Sequence, residues 1–135
     1  MTNVISELKM LDFYFSKYSC SFLKKTNLDN LKMSFVVNMY EHENDHRQVK
    51  IVIDTRISAP DNGFVLDLQT IGSFKIETQS NDEQLISEIL RKNTVAIMFP
   101  FIRSEVSLLT TQPGMKPVML PLIDVNALVD SDNKE

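Results

Sequence analysis

The two histidines of the chain are the first residues to consider for chemistry. His42 and His46 are four residues apart in Glu41–His46 (EHENDH), a segment that also carries three carboxylates. On a helix, histidines at this spacing could share a metal ion. The flanking residues instead predict two strands joined by a polar loop, and such loops are normally exposed to solvent. We therefore interpret the segment as a solvated loop and predict no metal site.

The other residues that could serve chemistry give no stronger evidence of an active site. Cys20 is the only cysteine and has no histidine near it in sequence, so we interpret it as a packed free thiol. Each of the three glycines, Gly63, Gly72 and Gly114, is explained by a turn, a strand irregularity or a helix end. The carboxylates form no obvious acid/base pair. We predict no catalytic residue, no cofactor and no enzymatic activity.

The composition restricts the class of protein. A chain of 135 residues with 43% hydrophobic and 24% charged residues fits one soluble domain, predicted over residues 1–135 with a mobile end. A net charge of −4 with only short basic patches does not favour nucleic-acid binding. A single cysteine, no signal-peptide pattern, and no apolar run of the roughly 20 residues that span a membrane predict a cytoplasmic protein without membrane insertion.

Apolar residues alternate with period two over much of the first half, which predicts strands with one buried face. The alternation runs through Met33–Met39, Val49–Ile57 and Phe64–Ile76. Glu41–His46 connects the first two runs, and Ala59–Gly63 (APDNG) is a strong turn signal between the next two. Asp12–Lys25 predicts a further, irregular or bulged strand. Gly72 predicts either a bulge or a close approach to another backbone.

Helical spacing replaces the alternation after Glu77. Ser80 and Glu83 match a capping box, and apolar residues follow at helical spacing to about Leu109. Gln112–Gly114 ends the pattern. Strands followed by helices predict an α+β fold, with a four-stranded antiparallel sheet and C-terminal helices packed on one face.

The segment Asn93–Leu109 carries more apolar surface than one sheet can cover. Its apolar residues are nearly consecutive: Val95, Ala96, Ile97, Met98, Phe99, Phe101 and Ile102. They therefore point to all sides of a helix, whereas a surface helix normally has one apolar stripe. We predict a homo-oligomer with these helices at the contact. The alternative is that the tail, Pro117–Val129, covers the helix within one chain.

Pro100 stands in the middle of this segment. Inside a helix it removes one backbone hydrogen bond and costs about 3 kcal/mol, so it either kinks one long helix or begins a second one. Arg103 is expected to pair with a carboxylate or cap a carbonyl. The residues predicted to serve assembly and packing are Ile97, Met98, Pro100, Ile102 and Arg103.

The first strand contributes a second apolar set, which consists of Phe13, Tyr14, Phe15, Tyr18 and Phe22. Simple alternation places Phe13 and Phe15 on one face of the strand, and the other three on the opposite face. Aromatic and methionine side chains can repack around varied partners, although each one alone also fits an ordinary core.

The segment Met98–Val129 resembles the SecB family of protein-export chaperones. The family's phenylalanine-proline-aromatic-x-arginine motif stands here as Phe99–Arg103 (FPFIR), and Leu120–Leu128 (LPLIDVNAL) resembles the tail leading into its short last helix. Leu66–Glu77 is similar to the family's last strand, with its glycine-x-phenylalanine. The resemblance extends in order from about Phe13 to Val129.

This resemblance implies a fold, an assembly and an activity. It implies a four-stranded antiparallel sheet with helices on one side, in a tetramer built as a dimer of dimers. The implied activity is ATP-independent holding of unfolded polypeptides in apolar grooves, for export or to protect a partner such as an antitoxin. The first-strand aromatics, Phe99 and Phe101 would bind the polypeptide, and Asp67 could contact the translocation ATPase SecA. The net charge of −4 and the basic Lys24-Lys25 depart from the strongly acidic family.

Two other function classes remain open. The first is a non-catalytic module that binds one specific small ligand or folded partner, although no convergent polar set marks a pocket. The second is an enzyme of hotdog-like shape, for which Glu105 is the nearby candidate on the central helix.

Overall fold

The computed structural model describes residues 6–23, 28–113 and 116–121. The elements in order are β1 (Ser6–Phe22), β2 (Lys32–His42), β3 (Asp45–Ser58), β4 (Phe64–Thr78) and α1 (Glu83–Leu109). The strands form one antiparallel sheet in the order β1-β4-β3-β2. The core lies between one face of this sheet and α1. The predicted α+β fold is confirmed with a single described helix, and the expected short last helix and mobile end fall largely on residues 122–135, outside the described residues.

The β2–β3–β4 meander follows the predicted alternation. Val49, Ile51 and Ile53 of β3 are buried, and their neighbours Lys50 and Val52 are more exposed. The predicted loop at residues 41–46 is too long, because β2 continues to His42 and β3 already begins at Asp45. The two strands are therefore joined by a turn of two residues.

The turn between β3 and β4 confirms the prediction for APDNG. The N–H of Ala59 donates to the carbonyl of Phe64 at 3.0 Å, and the N–H of Asn62 donates to the carbonyl of Ala59 at 2.9 Å. Asn62 has a φ of 58°, a left-handed conformation that asparagine tolerates better than most residues. The Asp61 carboxylate accepts the N–H of Gly63 at 2.9 Å and closes the turn.

The first strand is irregular, as predicted, but begins earlier, at Ser6 rather than at Asp12. Its register against β4 shifts twice, between Met10 and Asp12 and between Phe15 and Lys17. Each shift inserts one extra residue. Because side chains alternate with period two, each insertion moves the residues that follow it to the other face.

The second shift corrects the predicted division of the aromatic residues. Simple alternation groups Phe22 with Tyr14 and Tyr18, but its ring lies 4.8 Å from that of buried Phe64, centroid to centroid. Phe22 therefore joins the other two phenylalanines of the strand in packing against the core. Tyr18, which pairs with buried Leu68, also moves to the face of α1 but stays exposed, whereas Tyr14 stays exposed on the outer face.

The helix begins with Asp82 as its N-cap, so the predicted capping box at Ser80 is wrong. The Asp82 carboxylate accepts the N–H groups of Gln84 at 3.1 Å and Leu85 at 3.2 Å. Ser80 Oγ instead accepts the N–H of Asp82 at 3.1 Å and so orders the approach to the helix. A carboxylate at this position satisfies free N–H groups and interacts favourably with the helix dipole.

Pro100 lies inside α1, so the interpretation that it begins a second helix is wrong. The carbonyl that loses its partner belongs to Ala96, one turn earlier. Both residues are exposed, so water can satisfy this carbonyl. Pro100 therefore lies on the side of the helix where the lost hydrogen bond destabilises the fold least.

Candidate functional site

Met98 fixes the position of α1 over the centre of the sheet. A Cβ atom at Gly72 would lie 3.0 Å from Met98 Sδ and 2.7 Å from Cε2 of the Phe74 ring. Gly72 is thus closely approached, but by side chains, so the prediction of a close approach to another backbone is wrong. The alternative of a bulge at Gly72 is wrong, because β4 keeps an unbroken register with β3.

The two phenylalanines beside Pro100 reach opposite edges of the sheet. The Phe99 ring packs on Phe35 of β2, with centroids 5.4 Å apart, and the Phe101 ring lies 5.0 Å from Phe13 of β1. Phe99 is buried, whereas Phe101 is 48% exposed. The Phe-Pro-Phe motif thus spans the sheet from β2 to β1, with one ring in the core and the other at the surface.

An aromatic cluster at the β1 side is only partly shielded from water. Phe13 contacts Phe15 edge-on at 5.6 Å as well as Phe101. Ile97 lies one helical turn before Phe101 on the same side of α1 and is 37% exposed. We call these four residues the β1–α1 surface. It offers apolar contacts without a polar set that would select one ligand.

The apolar residues of α1 divide between two faces. The sheet-facing side buries Ile86, Leu90, Val95, Met98, Phe99, Ile102 and Val106. The opposite side leaves four large hydrophobic residues exposed, Leu85, Ile97, Phe101 and Leu108. Residues 116–121 of the tail bury Val118 and Leu120 but leave those four exposed. The predicted excess of apolar surface is thus present, and the rest of the tail lies outside the described residues.

Asp67 lies on the outer face of the sheet, which is the face opposite α1. Both of its carboxylate oxygens accept from Arg56 Nη1, at 3.0 and 3.2 Å. This exposed ion pair partly offsets the charge of the carboxylate that the resemblance gives as a possible contact for SecA.

The outer face also carries a polar network across three strands. Ser16 Oγ of β1 donates to Gln69 Oε1 at 2.6 Å, and Gln69 Nε2 donates to Asp54 Oδ1 at 2.9 Å. An open groove of about 490 Å³ runs beside this network. Its lining includes Lys17, Ser34, Val36, Asp54, Arg56 and Asp67. Polar side chains dominate this face, in contrast to the β1–α1 surface.

Arg103 is half-buried on α1. The predicted pairing with a carboxylate or carbonyl is not formed with any other described residue. Glu105, the carboxylate considered for an enzyme, is also half-buried on the same helix.

The residues first considered for chemistry are not brought together. His46 Nδ1 lies 3.8 Å from Glu41 Oε2, and both side chains are mostly exposed. Among the residues that the structure describes, no group of three or more histidine, cysteine or acidic side chains could hold a metal ion. Burial raises the pKa of the Cys20 thiol, which disfavours the reactive thiolate. No helix of the described part is both long and apolar enough to cross a membrane.

Comparison with known proteins places this arrangement in a family. Residues 8–135 match the family model of preprotein translocase subunit SecB. The protein-export protein SecB of Anaplasma marginale is 32% identical over 68 residues, which are 50% of this chain and 38% of that protein. The SecB of Desulfotalea psychrophila is 22% identical over 130 residues, which are 94% of this chain and 82% of that protein. The chain thus matches less than half the length of the Anaplasma relative.

Solved structures share the fold. A SecB-like chaperone of Mycobacterium tuberculosis, in complex with a ChAD peptide from an antitoxin, has a TM-score of 0.67 and 14% identity, with 87% of this chain and 88% of that chain covered. A protein of unknown function from Streptococcus agalactiae has a TM-score of 0.53 and 12% identity, with 87% and 99% covered. Because the family model matches nearly the whole sequence and the fold agrees, the chain belongs to the SecB family.

Proposed function

We propose that this chain is an ATP-independent holdase chaperone that binds non-native polypeptides and prevents their aggregation. The observation that carries the proposal is the exposed apolar side of α1, which continues through the Phe101–Phe13 contact into β1. Burial of apolar surface attracts many sequences without selecting one, as a holdase requires.

The predicted binding residues take different roles in this proposal. Phe101 and Tyr18 are exposed and available to a client, and Tyr14 is available on the outer face. Phe13 and Phe15 are half-buried and form the floor of the β1–α1 surface. Phe22 and Phe99 pack against the rings of Phe64 and Phe35, so we propose that they hold the site in place and do not contact the client.

The exposed side of α1 also supports an assembly. Ile97 and Leu108 offer apolar surface of the kind that oligomers bury, and a tetramer is the assembly that the resemblance implies. In this proposal Arg103 finds its partner on a second copy of the chain. Light scattering should therefore give the mass of an oligomer, and Ile97→Ser should lower it.

The client class follows from the relatives and from the outer face. The SecB relatives are export proteins, and the M. tuberculosis structure holds an antitoxin peptide. The ion pair between Asp67 and Arg56 does not favour the acidic contact with SecA. We therefore propose a cytoplasmic holdase whose clients include an aggregation-prone partner such as an antitoxin, with export clients as the other outcome of the tests.

The direct test is aggregation of a model protein diluted from denaturant, without nucleotide. An equimolar amount of this chain should suppress light scattering by the client. Phe101→Ser should weaken the suppression, whereas Leu23→Ser is the matched control because Leu23 is 79% exposed away from the β1–α1 surface. The absence of suppression and of any complex on size exclusion would contradict the proposal and favour a module with one specific ligand.

A further inference from the structure

The outer face of the sheet, although mostly polar, has an apolar row across its centre. Each strand contributes one residue to this row, and these residues pair side by side: Tyr14, Ile71, Val52 and Asn38. Ile71 is 8% exposed, although it does not belong to the core between the sheet and α1. The outer face therefore has a small apolar centre of its own. We call these four residues the central row.

Two residues of β2 widen the apolar area. Val36 and Tyr40 lie on either side of Asn38 on the outer face, and both are exposed, as is Tyr14 at the β1 end of the central row. A band of apolar side chains thus crosses the outer face. Packing against a second sheet would remove this band from water.

Charged residues flank the central row on both sides. Asp12 of β1 and Lys50 of β3 lie on one side, and Lys17 of β1 and Asp54 of β3 lie on the other. None of the four forms an ion pair with a residue that the structure describes. The central row is therefore flanked by charges of both signs that have no partner of opposite charge in the described part of the chain.

The pattern is self-complementary about a twofold axis along the central row. Rotation by half a turn about this axis brings a second copy face to face with the first, with each strand over its counterpart. The rotation exchanges the two flanking rows, so Lys50 faces Asp54 of the second copy, and Lys17 faces Asp12 of the second copy. Each pair occurs twice, so all four charges of both copies gain a partner of opposite sign.

The apolar residues match in the same arrangement. Val36 faces Tyr40 of the second copy, and the central row faces itself. A twofold axis along the strands, between β3 and β4, would instead place Lys50 over Ser73 and Lys17 over Val36, so it would pair no charges. The charge pattern therefore selects one of the two symmetric ways to pack the faces.

We propose that the outer face is an interface between two copies of this chain, which pack sheet on sheet about the axis along the central row. Such an interface is isologous, because the same surface of each copy forms it. Complementary charges fix its register, and the apolar band supplies the burial. The interface lies on the face opposite α1. It goes beyond the proposed function and does not depend on it.

Cysteine cross-linking tests the axis. In a Cys20→Ser background, Asn38→Cys places one thiol on the axis, where it faces its counterpart across the roughly 10 Å between packed sheets. A bismaleimide of that length should join two copies at micromolar protein concentration. Ser34→Cys is the matched control, because Ser34 is exposed on the same strand and face, but its two copies would lie roughly 26 Å apart along the strands. Cross-linking of Asn38→Cys alone supports the proposal, and any other result overturns it.

A charge swap tests the pairing of the flanking rows. Lys50→Asp sets like charges against each other at two places in the dimer. The Kd, measured as the concentration dependence of the Asn38→Cys cross-link, should therefore rise about tenfold or more. Adding Asp54→Lys exchanges the two charges and should restore the original Kd. If Lys50→Asp does not weaken the association, or if the double variant stays as weak, the proposal fails.

Discussion

The two faces of α1 carry similar residues in different surroundings. Leu90 on the sheet-facing side is 2% exposed, whereas Leu108 on the opposite side is 68% exposed. The first face is apolar because it packs on the sheet. The second face is also apolar, although its four large residues stay more than a third exposed, and this side of the helix carries Pro100. Packing on the sheet explains the first face alone, and the proposed function assigns the second face to client binding and assembly.

The largest difference between the faces is expected from matched leucine variants. Leu90→Ala leaves a cavity in the core and should lower the free energy of unfolding by about 2–5 kcal/mol. Leu108→Ala should change it by no more than about 0.5 kcal/mol for the dissociated chain, as surface substitutions usually do. Urea unfolding at several protein concentrations measures both. Equal costs in the dissociated chain would show that Leu108 is a core residue.

Gly72→Ala tests the sheet-facing side through the fit of a single atom. The added methyl group would overlap the Phe74 ring and press on Met98 Sδ, so we expect a loss of about 1–3 kcal/mol. Ser73→Ala is the control, because Ser73 is half-buried on the outer face. If Gly72→Ala leaves the free energy of unfolding unchanged, α1 can move away from the sheet without loss of stability, and the close fit does not matter.

A smaller loss of stability is expected at the start of α1, where the N-cap Asp82 is compared with the predicted cap, Ser80. Asp82→Ala removes the acceptor for two helix N–H groups and should cost about 0.5–2 kcal/mol. Ser80→Ala should cost less, because its hydroxyl accepts an N–H outside the helix. Thermal unfolding distinguishes the two variants. A larger loss for Ser80→Ala would restore the capping box that the sequence predicts.

The smallest effect concerns the polar end of the sheet, where β3 begins at Asp45. The N–H of Arg47 donates to Asp45 at 3.0 Å and, with help from Lys75, lowers the pKa of this carboxyl in the folded protein. The ionised Asp45 carboxylate therefore stabilises the fold above the ordinary pKa of aspartate. This stabilisation is lost as the pH falls through the lowered pKa of Asp45 in the folded protein. Asp45→Asn should flatten the acid side of the stability curve, and an unchanged curve would contradict this.

The fold could be predicted where local pattern decides the structure. The alternation through β3 and the turn chemistry of APDNG act over a few residues, and both were confirmed. The faces of Tyr18 and Phe22 were predicted wrongly because they depend on the extra residue at Ser16. That extra residue is defined only by pairing with β4, far along the chain.

The candidate site could be predicted in composition but not in geometry. The FPFIR motif indicated packing and assembly, and the excess of apolar surface is visible in the sequence. The separation of buried Phe99 from exposed Phe101 depends on where α1 crosses the sheet, which the Met98–Gly72 contact sets.

The most direct test of the proposed function compares two forms of one client. Reduced, carboxymethylated lactalbumin and native lactalbumin have nearly the same sequence but differ in exposed apolar surface. Multi-angle light scattering without nucleotide should find this protein in a complex with the unfolded form only. A complex with neither form, or with both forms equally, would contradict the account.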